Sequence, residues 1–258
     1  MAGVPYYVIL HYVGHGFAGW QRQPAERTVQ AELEAALERL AATRVVAHAA
    51  GRTDAGVHAL GQVASFAMPR DWEPGELVRA LRALLPEDMW VAQVGRVPPE
   101  FHARRSATAR RYRYVIGCDV AASSPFRRPF EWALGVPLDT ERLRTAAAYV
   151  LGEHDFRGFS ASGQVKPHYR CTVTVAEWTA RANGEGCIFT VEADRFLHHM
   201  VRFLVGTMVD VGRDRRPVDD VPRLLGSTDN REASPPAPAH GLYLMHVRYP
   251  QLDEGQEP

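Results

Sequence analysis

Lysine is nearly missing from this chain. Lys166 is the only one in 258 residues, against 29 arginines. A genome-wide codon bias accounts for such an imbalance as readily as selection does. Either way, almost every positive charge is a guanidinium, which can fork onto phosphate and stack on bases where lysine does so poorly. An excess of charge of either sign is also missing, because the formal net charge is zero. Any nucleic-acid surface must therefore be a local patch. No apolar run approaches the roughly 20 residues that span a bilayer, so no membrane segment is expected. Only Cys118, Cys171 and Cys187 are present, widely spaced and in no C-x-x-C pair. That argues against a disulfide framework or a zinc site and suits a reducing cytoplasm. The opening "MAGVPYYVILHY" has no basic n-region or cleavage site, so no signal peptide is expected. Neither a phosphate-binding G-x-x-x-x-G-K-[ST] nor a Rossmann fingerprint occurs, which leaves a nucleotide cofactor without support. "GFSASG" (158–163) has Ser162 where a nucleophile elbow needs glycine.

What is present reads as an ordered α+β chain. "YYVILHY" (6–12) is a buried strand, followed by the glycine-punctuated loop "GHGFAGWQRQ". Thr28 is placed to cap a helix with Val29, Leu33, Leu37 and Leu40 at helical spacing. "RVVAHAA" and "QVASFAM" read as strands, and Pro74 opens a second helix that Pro86 ends. "MWVAQV" is the next strand. The second half repeats the rhythm: "RRYRYVIG" is a strand, then comes a helix capped by Asp139. "CTVTVAEW" and "CIFTVEA" are strands joined near Asn183-Gly184, a hairpin signal. A helix over 198–212 and a last strand in "HGLYLMHVRYP" close the chain. "GSTDNREASPPAPAH", before that strand, reads as a mobile loop. The expectation is two ferredoxin-like β-α-β-β-α-β lobes, residues 1–105 and 106–258, with mainly antiparallel sheets and helices on one side.

Chemistry concentrates in three places. "FHARRSATARRYRY" interleaves Arg104, Arg105, Arg110, Arg111 and Arg113 with Tyr112 and Tyr114, a pattern that suits RNA. Tyr112, flanked by arginines, is the better candidate to stack on a base, although tyrosines so placed are more often core. The helix 198–212 is apolar on nearly every face yet carries Arg202. Its guanidinium demands an anion, either locally at Glu192 or Asp194 or in a site at Asp54. Asp54 lies between Arg52 and two glycines in "AAGRTDAGVHALGQV". Either its carboxylate is ordinary turn chemistry or it is displayed as a nucleophile. No second carboxylate stands near it in sequence for acid–base work, and no metal-ligand spacing includes it. His198 and His199 are adjacent on the expected helix and make a poor ligand pair, and His102 and His154 suit hydrogen-bonding or surface roles.

These blocks resemble the tRNA pseudouridine synthase A family. "GRTDAGVHALGQVASF" is similar to the family signature, whose Asp is catalytic. "FAGWQRQPAERTVQAELEAAL", "LLPEDMWV", "FHARRSATARRYRYVI", "LGEHDFRGF", "FLHHMVRFLVGTMVDVG" and "APAHGLYLMHVRYP" match further family blocks in order. The resemblance implies a pseudouridine synthase fold with its active-site cleft between the lobes. It implies a cofactor-free, metal-free isomerase that turns uridine into pseudouridine in the anticodon stem-loop of tRNA, at the positions numbered 38 to 40 there. It further implies a cytoplasmic homodimer. Asp54 becomes the nucleophile, attacking C1′ of the ribose or C6 of the uracil. Arg202 pairs with Asp54, Tyr112 stacks on the target base and Arg52 meets the RNA. Arg110 and Arg111 belong to the same basic stretch, and Leu242 lines the apolar side of the pocket. Val13, Arg105 and Phe203 depart from the family pattern outside that set. A non-catalytic structured-RNA-binding protein or chaperone of the same fold is the alternative, and a small-molecule hydrolase has little behind it.

Overall fold

A computed structural model describes residues 3–161, 168–250 and 252. Lys166 and the end of the "GFSASG" stretch lie outside the described residues. The chain divides into two compact units, Met1–Thr108 with Leu244–Pro258, and Ala109–Tyr243.

The first unit runs β1 (Val4–Tyr12), α1 (Val29–Ala41), β2 (His48–Ala49), β3 (His58–Met68), α2 (Pro74–Leu84) and β4 (Met89–Arg96). β1 lies between β3 and β4 and is antiparallel to both, and β2 pairs with β3. Tyr6, Val8, Leu10 and Tyr12 alternate along β1 and are all buried, the period a strand gives a face turned into the core. Thr28 caps α1 by accepting the Ala31 N–H, and Val29, Leu33 and Leu37 bury one stripe. In α2, Pro74 occupies the first turn, Glu73 caps it, and Leu77 and Leu81 are buried. The "RVVAHAA" strand shrinks to the two residues of β2. Its apolar residues Val45 and Ala47 are buried nonetheless, so burial there does not come from ladder pairing.

The second unit runs β5 (Ala109–Gly117), β6 (Trp132–Ala133), α3 (Thr140–Ala148), β7 (Gly152–Asp155), β8 (Arg170–Ala180), β9 (Gly186–Ala193), α4 (Met200–Gly212) and α5 (Asp220–Leu225). Its sheet order is β5-β9-β8-β7 with antiparallel neighbours, and β6 joins β5 in parallel. The last strand, β10 (Leu242–Arg248), read from sequence as part of the second lobe, places Leu244 onward in the first unit. The fold is α+β with a mostly antiparallel sheet.

Three local readings change. The short strands β6 and β7 and the helix α5 carried too few residues for periodicity to reveal. β8 and β9 form the antiparallel hairpin expected around Asn183-Gly184, its connection a 3-10 turn, Ala182–Gly184, with Gly184 at φ +71°. α4 starts at Met200, not 198, because His199 adopts a left-handed φ of +59°. The Ser/Pro/Ala segment before β10 is mostly exposed over 226–232 but anchored at 234–237. Ser234 and Ala237 are buried, the Ser234 N–H donates to Thr207 Oγ1, and the Ala237 N–H donates to the Arg202 carbonyl. Among the described residues, no helix is long and apolar enough to cross a membrane.

Candidate active site

Asp54 sits on a four-residue turn that the backbone closes by itself. The Val57 N–H donates to the Asp54 carbonyl at 3.1 Å, and Gly56 at the third position has φ +80°. Only glycine adopts that conformation cheaply, and it is the one a type II turn requires there. The carboxylate is therefore not needed to hold the turn. Thr53 and Val57 on either side are buried, Arg52 is exposed, and Asp54 itself is half-buried.

The turn is clamped by the "GHGFAGW" loop, which the sequence marked only as glycine-rich. The Trp20 N–H donates to the Thr53 carbonyl at 3.0 Å, and the Gly56 N–H to the Phe17 carbonyl at 3.4 Å. The Gly14 N–H donates to Nδ1 of the buried His58 at 3.1 Å. Gly19 has φ +98°, and a Cβ there would stand 2.7 Å from the Thr53 carbonyl oxygen. Beneath the turn, the Tyr12 hydroxyl and Thr53 Oγ1 are 2.8 Å apart, and Gln62 Nε2 donates to Tyr12 at 3.3 Å and to the Gly51 carbonyl at 2.9 Å. Sequence reasoning missed Tyr12, Gly19 and Gln62. The available signal was a lone amide, Gln62, at an inward position of an otherwise small and apolar strand.

Burial pushes the Tyr12 phenol up to about 12, against the pull of its bonds to Thr53 and Gln62. The folded state thus holds this proton more tightly than the unfolded chain, whose tyrosines titrate near 10. Stability from this group is complete below pH 10 and is lost as pH rises toward 12, by roughly 3 kcal/mol over the window. Denaturant midpoints are expected to stay level around neutrality and fall above pH 10, with a shallower fall in Tyr12→Phe. An equal slope in that variant would show that Tyr12 is not the titrating group.

In the second unit, β5 gathers three of the expected residues. Tyr112 faces Val191 across the ladder and is 8% exposed, its ring edge-on to Phe196 at 5.0 Å. Arg111 Nε donates to Oε2 of the buried Glu192 at 2.8 Å, and Arg110 Nη1 to the Asp194 carbonyl at 2.8 Å. Asp194 Oδ1 in turn accepts the N–H groups of Thr172 and Arg195. The two carboxylates weighed as local partners for Arg202 are therefore engaged along β5, β8 and β9.

Around Arg202, α4 is buried everywhere except at Arg202 and Asp210, so the guanidinium is half-buried rather than sealed in. Arg202 Nε donates to the Ala237 carbonyl at 2.7 Å. The Tyr114 hydroxyl donates to the neighbouring Pro238 carbonyl at 2.8 Å. Burial holds the Tyr114 phenol well above its usual range, with the Arg202 charge opposing. Leu242, buried, follows the 3-10 turn Ala239–Gly241. Arg202 and Leu242 are thus tied to one segment, 237–242. His198 and His199 do not diverge as expected, since the left-handed His199 brings their ring centroids to 3.9 Å. His102 and His154 keep hydrogen-bonding roles, to the Arg104 N–H and the Leu151 carbonyl.

A family model described as tRNA pseudouridine synthase matches residues 8–104 and 146–250. The Asp54 turn lies in the first match and α4 and Leu242 in the second, while Arg110 to Tyr112 fall between them. A protein named tRNA pseudouridine synthase A from Myxococcus xanthus is 43% identical over 241 residues, covering 93% of this chain and 90% of that protein. One of the same name from Moorella thermoacetica is 42% identical over 244 residues, 94% of this chain and 98% of that protein. Another from Limosilactobacillus fermentum is 42% identical over 249 residues, 95% of each.

Proposed function

From the premise that the chain belongs to the tRNA pseudouridine synthase family, and so is an isomerase of uridine in tRNA, we propose that Asp54 is its nucleophile. The observation that carries this is the half-buried Asp54 on a turn closed by its backbone and anchored by buried Thr53 and Val57. A fixed, displayed carboxylate is what nucleophilic catalysis needs. The net reaction breaks the C1′–N1 bond, turns the uracil and forms C1′–C5. The proton on C5 leaves and N1 takes one up, so the atoms balance without a second substrate. Asp54 attacks C1′ or C6 to start that sequence.

The other roles follow in the same reading. Extruding the uridine costs a few kcal/mol of stacking, which phosphate contacts and an aromatic platform must offset. Tyr112 is that platform, and Leu242 is the apolar wall. Arg52, Arg110 and Arg111 hold the RNA. Arg111 suits this because its Nε is fixed by Glu192 while its side chain stays 42% exposed, which leaves part of the fork for a phosphate. The substrate is the anticodon stem-loop, the enzyme a homodimer, and its place the cytoplasm.

Arg202 is proposed as the counter-charge of Asp54, which answers the cost of a guanidinium on an apolar helix. Tritium release from tRNA labelled at uridine C5 measures the reaction, and no release by the wild-type protein would end this reading. A thermal cycle over Asp54→Asn, Arg202→Met and the double variant tests the pair. A coupling of about 0.5–3 kcal/mol is expected for groups in contact. Additive effects would show that the two do not meet.

A further inference from the structure

We propose that Tyr12, Thr53 and Gln62 form a buried positioning device that fixes the residue preceding the nucleophile; the role rests on the assignment of Asp54. None of the three touches the reacting atoms in this account. They act through the backbone of the Asp54 turn.

Three observations converge. First, the three side chains come from β1, the turn and β3, and all are buried, at 4%, 6% and 0% exposure. Two of their hydrogen bonds have a fixed direction. Gln62 Nε2 donates to both the Gly51 carbonyl and Tyr12 Oη. The amide cannot be turned over, because Oε1 would then face the Gly51 carbonyl, acceptor against acceptor. Tyr12 Oη, which accepts from Gln62, shares a second hydrogen bond with Thr53 Oγ1 that either hydroxyl can donate.

Second, the bonds land on Gly51 and Thr53, the residues on either side of Arg52, the second of which adjoins Asp54. The Thr53 carbonyl is held separately by the Trp20 N–H. The residue before the nucleophile is therefore pinned by both its side chain and its backbone to rigid parts of the unit.

Third, stability alone does not explain the choice of residues. Gln62 Oε1 is buried without a hydrogen-bond partner among the described residues. An orphaned buried acceptor is a net cost that an apolar side chain of similar size avoids. What the amide provides in return is two directed bonds. A displacement of about 1 Å at a catalytic group can cost on the order of a hundredfold in rate, so such bonds matter more to turnover than to folding.

The test separates positioning from mere packing. Thr53→Val, Tyr12→Phe, their double variant and Thr53→Ser are compared by tritium release and by melting. Thr53→Val is expected to lose kcat by about 30- to 100-fold, with KM for tRNA within about threefold of wild type. Thr53→Ser keeps the oxygen and restores kcat to within about threefold. The double variant strands no hydroxyl but leaves one buried Gln62 N–H without its Tyr12 acceptor, so its melting temperature is expected to stay near that of Thr53→Val and its kcat to stay low. Should Thr53→Val not fold, Tyr12→Phe, which deletes a single oxygen, carries the same kcat and KM expectations. Recovery of kcat together with melting in the double variant would reduce the device to packing, and a near-normal kcat in Thr53→Val would overturn it. An active Asp54→Asn enzyme overturns the nucleophile assignment and this role with it. An inactive Asp54→Asn beside an unaffected Thr53→Val overturns the device alone.

Discussion

Asp54→Asn is expected to abolish pseudouridine formation, lowering tritium release by at least about a thousandfold, because losing the proposed nucleophile removes the covalent route altogether. The substitution keeps size and shape, so the effect isolates the charge and nucleophilicity of one carboxylate. The turn itself should survive, since it is closed by the Val57 N–H on the Asp54 carbonyl and by Gly56 at positive φ. The loss in stability is therefore expected not to exceed the proposed coupling to Arg202, about 0.5–3 kcal/mol, with tRNA affinity within about threefold of wild type alongside the lost rate. Asp54→Ala should behave in the same way. Undiminished release in either variant would remove Asp54 from the chemistry and leave its turn as simple architecture.

The second large effect is expected at a residue far less conspicuous in the sequence. Gly19→Ala places a methyl group 2.7 Å from the Thr53 carbonyl oxygen and 3.2 Å from the Asp54 carbonyl carbon, at a φ of +98°. The backbone conformation alone costs about 1–2 kcal/mol for a residue with a Cβ. The contact adds to it, because carbonyl backbone cannot swing aside as a side-chain tip can. A total of about 2–4 kcal/mol translates into a melting temperature lower by about 5–15 °C in a protein of this size. Because the group pushed is the peptide leading into Asp54, turnover at 25 °C should fall by at least about tenfold even in the folded fraction. Gly135→Ala is the control. It has φ +69° with nothing within 4 Å of its added Cβ, so it should show the conformational cost without the loss of rate. Equal rates in the two variants would mean that the glycine loop does not hold the Asp54 turn.

The regular elements of the first unit could be read from residues alone. Thr28 and Glu73–Pro74 mark helix starts by chemistry that acts within four residues, and the alternation of Tyr6, Val8, Leu10 and Tyr12 marks a strand by period. The same reasoning failed at β2, where β-branched and small residues are buried without pairing over most of their length. It also failed at 226–240, whose composition suggested freedom. Ser234 and Ala237 are instead tied to Thr207 and Arg202 on α4, and composition carries no record of such long-range bonds. His198 and His199 were misjudged for a related reason. Their divergence holds only inside a helix, and the left-handed His199 delays the start of α4 until Met200.

What the sequence determined by itself was the family's reaction and the candidates for it: one carboxylate in a glycine-flanked turn, an arginine on an apolar helix, a tyrosine among arginines. Those depend on residue identity and near-neighbour spacing, which a linear string preserves. The tertiary structure alone decided which groups carry the turn. Tyr12, Gly19 and Gln62 stand between 8 and 42 residues from Asp54 or on separate strands, and they meet it only because β1 pairs with β3 and the 14–20 loop folds over the turn. Hydrogen bonds act over about 3 Å of space whatever the separation along the chain, so the support of a site becomes visible only after the chain has closed around it.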